Sequence, residues 1–342
     1  MLVPRALHTA TLLNDGTVLI AGGITDRPSQ ALDSSEIYDP ARGVFLSSGP
    51  MTITRNEAVA ARLSDGRVLI AGGYSKAPTP FLMPLIQGIP TYSGPLDSAE
   101  IYDPKSKTFS PVGSMGFTRR PSSATLLDDG NVLLVENDSA KLFNPAAGTF
   151  TAAGKPVVTR NQSTAVKLSD GRVLIACGGA GPERWKSAEI YDPKSDRFAR
   201  TGDMLNPLFW CHGTLLSDGN VLLTGYSGDN PEDEAQIYDP RAGTFSSPGK
   251  LLFDSAGPVP SRLKDGRVLI TSIAIPFYPM RKDGLTAEAY DPSSQEFTSI
   301  GAVPPDRSEY TSTTLPDGSV LIAGGGADHQ PLYPNPALLY CP

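Results

Sequence analysis

HTATLLNDGTVLIAGG at residues 8–23, followed by SSEIYDPARGVF at 34–45, is the stretch on which the reading of this chain turns. Two short apolar runs, HTATLL (8–13) and TVLIAGG (17–23), flank an Asp-Gly pair. Asp-Gly supplies the positive φ that a tight antiparallel hairpin needs. The SEIYDP segment reads as a third strand, and the Pro and Gly of DPARGVF turn the chain into a fourth that carries Phe45. No segment has the 3.6-residue periodicity of a helix.

The same unit recurs along the whole chain. The Asp-Gly hairpin is found seven times, with its glycine at 16, 66, 130, 171, 219, 266 and 318, a mean period of about 50 residues. After each hairpin comes the third-strand marker: EIYDP at 36–40, 100–104 and 189–193, KLFNP at 141–145, QIYDP at 236–240, EAYDP at 288–292 and LLYCP at 338–342. Six copies continue to an aromatic, Phe45, Phe109, Phe150, Phe198, Phe245 and Phe297. Four strands per unit at this period predict the blades of a β-propeller, which cover their faces only against neighbouring blades. The expected fold is all-β: one domain over 1–342, with blades at 1–50, 51–114, 115–155, 156–203, 204–250, 251–302 and 303–342.

Composition agrees. The 342 residues include 34 glycines and 32 prolines, well above average usage, and enough Tyr and Phe (12 each) for a buried core. A net charge of -7 opposes nucleic-acid or anionic-membrane binding, which need a positive field. No run approaches the 18 apolar residues of a membrane span, and MLVPRALHTA (1–10) lacks the core of a signal peptide. Cys177, Cys211 and Cys341 are too few, and odd in number, for a disulfide framework. Cys177 and Cys211, in adjacent blades, leave a single bridge possible.

The pattern Arg-x-x-His, then Asp-Gly-x-Val-x-x-x-Gly-Gly, Tyr-Asp-Pro and Phe, resembles the kelch repeat in the form common in bacterial proteins. The resemblance covers essentially the whole chain and implies a seven-bladed kelch-type propeller. Met51 to Arg55 and Met115 to Arg119 link successive blades, and Met1 to Arg5 has the same spacing. Blade 7 is therefore expected to hold three strands and to lack its outer one. A natural start further upstream, with a signal peptide and a secreted or periplasmic location, would account for this. A monomer without cofactor or metal is expected.

The strand order predicts two different faces. Asp-Gly and Asp-Pro turns lie below, while the loops between second and third strands, and those between blades, lie above. Two upper loops are long: Tyr74 to Leu96, with PFLMPLIQGIPTY, and IAIPFYPMRKDG at 273–284. Function is usually carried by such loops on a rigid scaffold. Eleven residues before the hairpin glycine stands an arginine in five units (Arg5, Arg55, Arg119, Arg160, Arg307), interrupted by Leu208 and Ser255. It is read as structural, with Glu36, Glu100, Glu189 and Glu288 as natural partners for some of its members. Six residues before the glycine the column is small (Ala10, Ala60, Ala124, Ala165, Gly213, Pro260, Ser312), as crowding round an axis demands.

Between those columns the repeat stops repeating: Ala6-Leu7, Asn56-Glu57, Arg120-Pro121, Asn161-Gln162, Phe209-Trp210, Ala256-Gly257 and Ser308-Glu309. Arginine, carboxylates, amides and Trp210 at the upper mouth of the channel suit a polar ligand with an apolar face, a carbohydrate or a peptide. The candidate ligand-binding residues are Asn56, Glu57, Arg120, Asn161, Gln162, Trp210, Glu309 and Tyr310, with Tyr74 and Tyr226 from the positions past Gly-Gly, where Asn137, Asp138 and Ser227 also fall.

Catalysis is the alternative. Glu57 and Glu309, in one column on blades 2 and 7, with Arg120 nearby, could act as acid and base on a sugar-like substrate, as in an epimerase, hydrolase or lyase. FWCHGTLLSDGNVLLTG (209–225) is similar to the segment that supplies the crosslinked cysteine in galactose oxidase and glyoxal oxidase, here matched by Cys211. The tyrosine that the resemblance requires on the next blade is absent from Ala256-Gly257-Pro258, and the late Tyr-His pair is matched only by Glu309-Tyr310-Thr311. The three histidines, His8, His212 and His329, fall on blades 1, 5 and 7, unsuited to converge on copper. DNPEDE (229–234) reads as a solvated loop.

Overall fold

The computed structural model describes residues 1–26, 29–76, 94–117, 119–179, 185–226, 235–252, 258–271, 286–302, 308–326 and 337–342. They form seven small antiparallel sheets arranged in a ring, a seven-bladed β-propeller. Among the described residues there is no helix, and hence none long and apolar enough to cross a membrane. In blade 1 the strands run from the axis outward as Thr9–Leu12, Val18–Ala21, Ser35–Asp39 and Val44–Ser47. Blades 2 to 6 repeat this order, and the seventh sheet has three strands, Ser308–Thr314, Val320–Gly326 and Leu338–Tyr340. A feature without sequence warning is a small extra hairpin in blade 1, Ile24–Asp26 with Ser29–Ala31.

Alternation along the second strand explains how the sheets stack. Side chains of successive residues point to opposite faces, and Val-Leu-Ile-Ala is buried on both. Leu19 and Ala21 pack with Val68, Ile70 and Tyr102 of blade 2. Val18 and Ile20 pack with Leu315, Leu321 and Ala323 of blade 7. Every blade-to-blade boundary has such a cluster, and the one between blades 7 and 1 closes the ring. Near the rim each of blades 1 to 6 places a tyrosine or phenylalanine of the third strand against the aromatic of the fourth, as in Tyr38–Phe45 with ring centroids 4.8 Å apart.

The Gly-Gly pair is a packing requirement. A Cβ on Gly22 would lie 2.3 Å from the Arg55 carbonyl oxygen of the next blade, while Gly23 N donates to that same oxygen at 2.8 Å. Gly325 N donates to Arg5 O in the same way at 2.9 Å, across the boundary that closes the ring.

The repeated arginine is a clamp within its own blade. Arg5 donates to Gly22 O (2.8 Å), Ser34 O (2.9 Å) and Glu36 Oε1 (2.8 Å), while Glu36 accepts the backbone N–H of Leu2 and Val3. Arg55 with Glu100, and Arg160 with Glu189, repeat the set at 3.0 Å. All three arginines are buried. The column is not uniform, however. Blade 3 has Lys141 where the glutamate would stand, and Arg119 is exposed. Blade 5 has Leu208 and Gln236 together, and the Gln236 amide holds Leu205 N and Asn206 O instead. Arg307 and Ser255 lie outside the described residues.

Two stability predictions follow from this column. Arg55→Leu leaves the buried Glu100 carboxylate without a countercharge and costs about 3–5 kcal/mol. Arg55→Leu with Glu100→Gln copies the pair blade 5 already uses and recovers at least half of that loss in urea titrations. The second concerns Glu288, which is buried and accepts a hydrogen bond from Leu252 N at 2.9 Å. Burial pushes its carboxyl from 4.5 up to about 7. Between those values the folded state binds more protons than the unfolded one, so Glu288 lowers stability progressively as pH rises through that window. Glu288→Gln therefore stabilises the protein at pH 8 by up to about 3 kcal/mol and has little effect at pH 4. The readout is the difference between variant and parent, because His8 (pushed down to about 3 by burial) and His212 (down to about 4) act in the opposite sense over the same range.

Candidate functional site

The non-repeating column at the channel mouth has a backbone of its own. Leu7, Glu57, Gln162, Trp210 and Glu309 all lie in the left-handed region, with φ between 46° and 58°. Each stands nine residues before its hairpin glycine. Pro121 takes that place in blade 3, where the ring forbids positive φ, and Gly257 of blade 6 lies outside the described residues. The conformation has a structural cause in blades 7, 1 and 2: Glu57 N donates to Leu7 O at 2.9 Å and Leu7 N to Glu309 O at 3.2 Å. From blade 7 through blade 1 to blade 2 the rim is thus laced by main-chain bonds. A non-glycine residue held there costs of order 1 kcal/mol or more.

The described candidates separate into two groups. On blades 2 and 3, Arg120 Nη2 meets Glu57 Oε2 at 3.0 Å, both partly buried. On blades 4 and 5 the character is aromatic. Trp210 is 53 % exposed and lies 5.9 Å from Tyr226, ring to ring. Its neighbour Phe209, 38 % exposed, meets Trp185 edge-on at 5.7 Å. Asn161 and Gln162, the blade 4 residues of the same columns, are both exposed.

Other candidates have different surroundings. Asn56 is buried, its amide donating to Tyr74 O (2.9 Å) and Lys76 O (3.1 Å), so it anchors the start of the long blade 2 loop. Tyr74 bridges that residue and Pro95 through its backbone. Tyr310 donates its hydroxyl to Thr271 Oγ1 across the blade 6–7 boundary at 2.7 Å. Glu309 is exposed. Asn137 O accepts the Arg160 N–H, and Asp138 is exposed. Residues 77–93, 272–285 and 227–234, which hold most of both long loops, Ser227 and DNPEDE, and also Ala256 and His329, lie outside the described residues.

One feature went unread in the sequence, and another was read there only as one open pairing. Trp185 precedes the third strand of blade 4 and completes the aromatic corner; its only signal was its place beside blade 5. The other is a disulfide between Cys177 and Cys211, with Cα atoms 6.2 Å apart. Cys177 stands where blade 1 has Gly22, and Cys211 where blade 1 has His8, so the bridge crosses between blades 4 and 5. It bypasses the expectation drawn from cysteine number, since adjacency around the ring matters and not parity. Cys211 is bonded directly after Trp210, and the bridge fixes the backbone from which that ring projects. On the opposite face, between blades 3 and 4, a hollow of about 630 Å³ is lined by Asp128, Asp170, Arg172, Asp192 and Lys194; Asp170 pairs with Arg172, and Asp128 with Lys167.

Comparison with known proteins agrees with this architecture. Residues 58–116, essentially blade 2, match the kelch motif. None of the curated proteins compared with the chain matches it. Among solved structures, a fungal alcohol oxidase of the AA5 family in complex with copper superposes with a TM-score of 0.70 at 16 % identity, over 95 % of this chain and 71 % of that one. At that identity the likeness is one of fold. The protein is a seven-bladed β-propeller carrying a kelch motif.

The residues present do not fit the copper and crosslinked-cysteine arrangement that the resemblance of 209–225 to galactose oxidase and glyoxal oxidase implies. The sulfur of Cys211, the position resembling the oxidase cysteine, is bonded to Cys177 and has no valence left for a tyrosine crosslink. His8 is buried with Nε2 against Thr311 Oγ1 at 2.9 Å. Among the described residues no three His, Cys, Asp or Glu side chains are grouped to hold a metal.

The disulfide gives a direct prediction. It closes a segment of 34 residues, so Cys177→Ala with Cys211→Ser should lower unfolding stability by about 3–4 kcal/mol and make Trp210 emission more accessible to acrylamide. Unchanged melting and quenching would show that the bridge does not hold this corner.

Proposed function

We propose that this propeller is a recognition module whose ligand, a carbohydrate or a peptide, lies across the upper mouth of the central channel. One observation carries the reading. In all seven Asp-Gly turns the residue at positive φ is glycine, as expected when a side chain would only add strain, whereas the outer turns of blades 2, 4 and 6 place Lys107, Asp196 and Gln295 there. At the mouth the chain keeps glutamate, glutamine and tryptophan in the same conformation. Strained side chains retained on a rigid scaffold are typical of binding sites. The exposed Trp210 ring, with Phe209 and the amides of Asn161 and Gln162 in adjoining columns, supplies a stacking face and hydrogen-bond donors and acceptors. The Glu57–Arg120 pair adds a charged edge.

A thermal-shift screen of mono- and oligosaccharides and short peptides tests this. A ligand at ~100 times its dissociation constant stabilises the fold by about 2.7 kcal/mol. The expected result is a saturable shift that is lost in Trp210→Ala and reduced in Arg120→Ala. A shift of equal size in both variants would move the site elsewhere.

An acid–base enzyme acting on a sugar-like substrate is the second reading. It rests on Glu57 and Glu309, whose residues are joined through Leu7 by consecutive main-chain hydrogen bonds along the rim. Under that reading Glu309→Gln binds the sugar as before but no longer turns it over.

A further inference from the structure

Each fourth strand of this propeller contributes a phenylalanine to the boundary with the preceding blade. Phe109 joins the apolar cluster between blades 1 and 2, Phe150 that between 2 and 3, and Phe198 that between 3 and 4. Phe245 and Phe297 do the same at the next two boundaries, and Phe45 at the one that closes the ring. The cluster between blades 6 and 7 has no such ring. Its buried blade 7 members are Val320 and Ile322, with Tyr310, Leu338 and Tyr340 partly buried beside them.

The outer side of blade 7 is correspondingly uncovered. Among the described residues no strand pairs with the outer edge of Leu338–Tyr340. Leu339 is 45 % exposed, whereas Ile37, Ile101, Ile190, Ile237 and Ala289, at the same register of blades 1, 2, 4, 5 and 6, are all buried. Tyr340 is half-buried, while the third-strand ring is buried in each of the other six blades. An outer strand that faces solvent by design carries polar side chains, as Arg197–Arg200 does in blade 4. Leu-Leu-Tyr has the composition of a covered strand.

We propose that the outer edge of blade 7 accepts an extended segment of a separate polypeptide as its fourth strand, antiparallel to Leu338–Tyr340, with an aromatic side chain opposite Tyr340. The six resident fourth strands define the chemistry of that segment. Phenylalanine stands opposite the third-strand ring, and the residue after it, at the register of Leu339, is Leu46, Ser110, Thr151, Ala199, Ser246 or Thr298, in no case charged. Main-chain bonds along the edge supply affinity, and an aromatic seated in the blade 6–7 cluster supplies specificity. The added ring extends an interface that already exists between those blades. A second copy offers no such strand, since among the described residues its phenylalanine-bearing fourth strands all lie within blades. The site is at the outer rim and does not rest on the reading of the channel mouth.

The probe is the peptide AAGTFTAAGK, the sequence of residues 146–155, which holds the fourth strand of blade 3. With a fluorophore on its lysine, fluorescence anisotropy should show saturable binding of one equivalent to the protein. Phe150→Ala in the peptide should weaken binding roughly tenfold or more, the loss that one buried ring implies. Leu339→Lys in the protein puts a charge where the added strand would bury it and should weaken binding by a similar factor. Its melt should match that of the parent, because the side chain is exposed when the edge is free. Trp210→Ala should bind the peptide as the parent does. Binding lost in Trp210→Ala but kept in Leu339→Lys places the peptide at the channel mouth and overturns the proposal. Absence of saturable binding overturns it too, as do parent dimers in sedimentation that Leu339→Lys dissociates, which would make a second copy the occupant.

Discussion

A four-stranded sheet whose second strand is Val-Leu-Ile-Ala has two apolar faces, and nothing within its own blade covers either. Everything else in this structure follows from that need. The seven clusters that cover these faces lie between blades and include the boundary between the last blade and the first. Closure then brings backbones into contact near the axis, where the Gly-Gly pairs of blades 1, 2 and 7 and small residues on the innermost strands give the room that contact needs.

Polar elements are subordinate to this packing but make it specific. In blades 1, 2 and 4 the buried arginine–glutamate clamps tie the start of the inner strand to its second and third strands. Buried ion pairs are weak evidence for net stability, and blade 5 does without one. Their better-supported role here is positional: Arg5, Arg55 and Arg160 set where the chain leaves the linker and turns into the channel mouth. Between blades 4 and 5, where Leu208 interrupts the column, a disulfide holds the same region. The most exposed aromatic of the mouth, Trp210, lies next to that bridge.

Much of this was legible in residues alone. Asp-Gly turns, Tyr-Asp-Pro markers and a period near 50 report local geometry that residue type dictates directly, and the three-stranded seventh blade was legible in the same way. The candidate site was legible as a place, because repetition fails there. It was less legible as a set of side chains. Asn56 looked like a rim amide, but its side chain is consumed by carbonyls of the Tyr74–Lys76 segment. Trp185 stands far from any repeated column, and only the neighbouring blade gives it a partner.

Sequence by itself determined the fold class, the number of blades, the strand order and the face on which variation gathers, since each depends on short-range pattern and on its recurrence. Tertiary structure alone decided the left-handed backbone of Leu7, Glu57, Gln162, Trp210 and Glu309, because none of these residue types favours it. For Leu7 and Glu57 the hydrogen bonds to neighbouring rim carbonyls impose it. Tertiary structure also decided which cysteines meet and that Glu288 is buried. Those outcomes depend on which blade stands beside which, and on how closely closure of the ring presses them together.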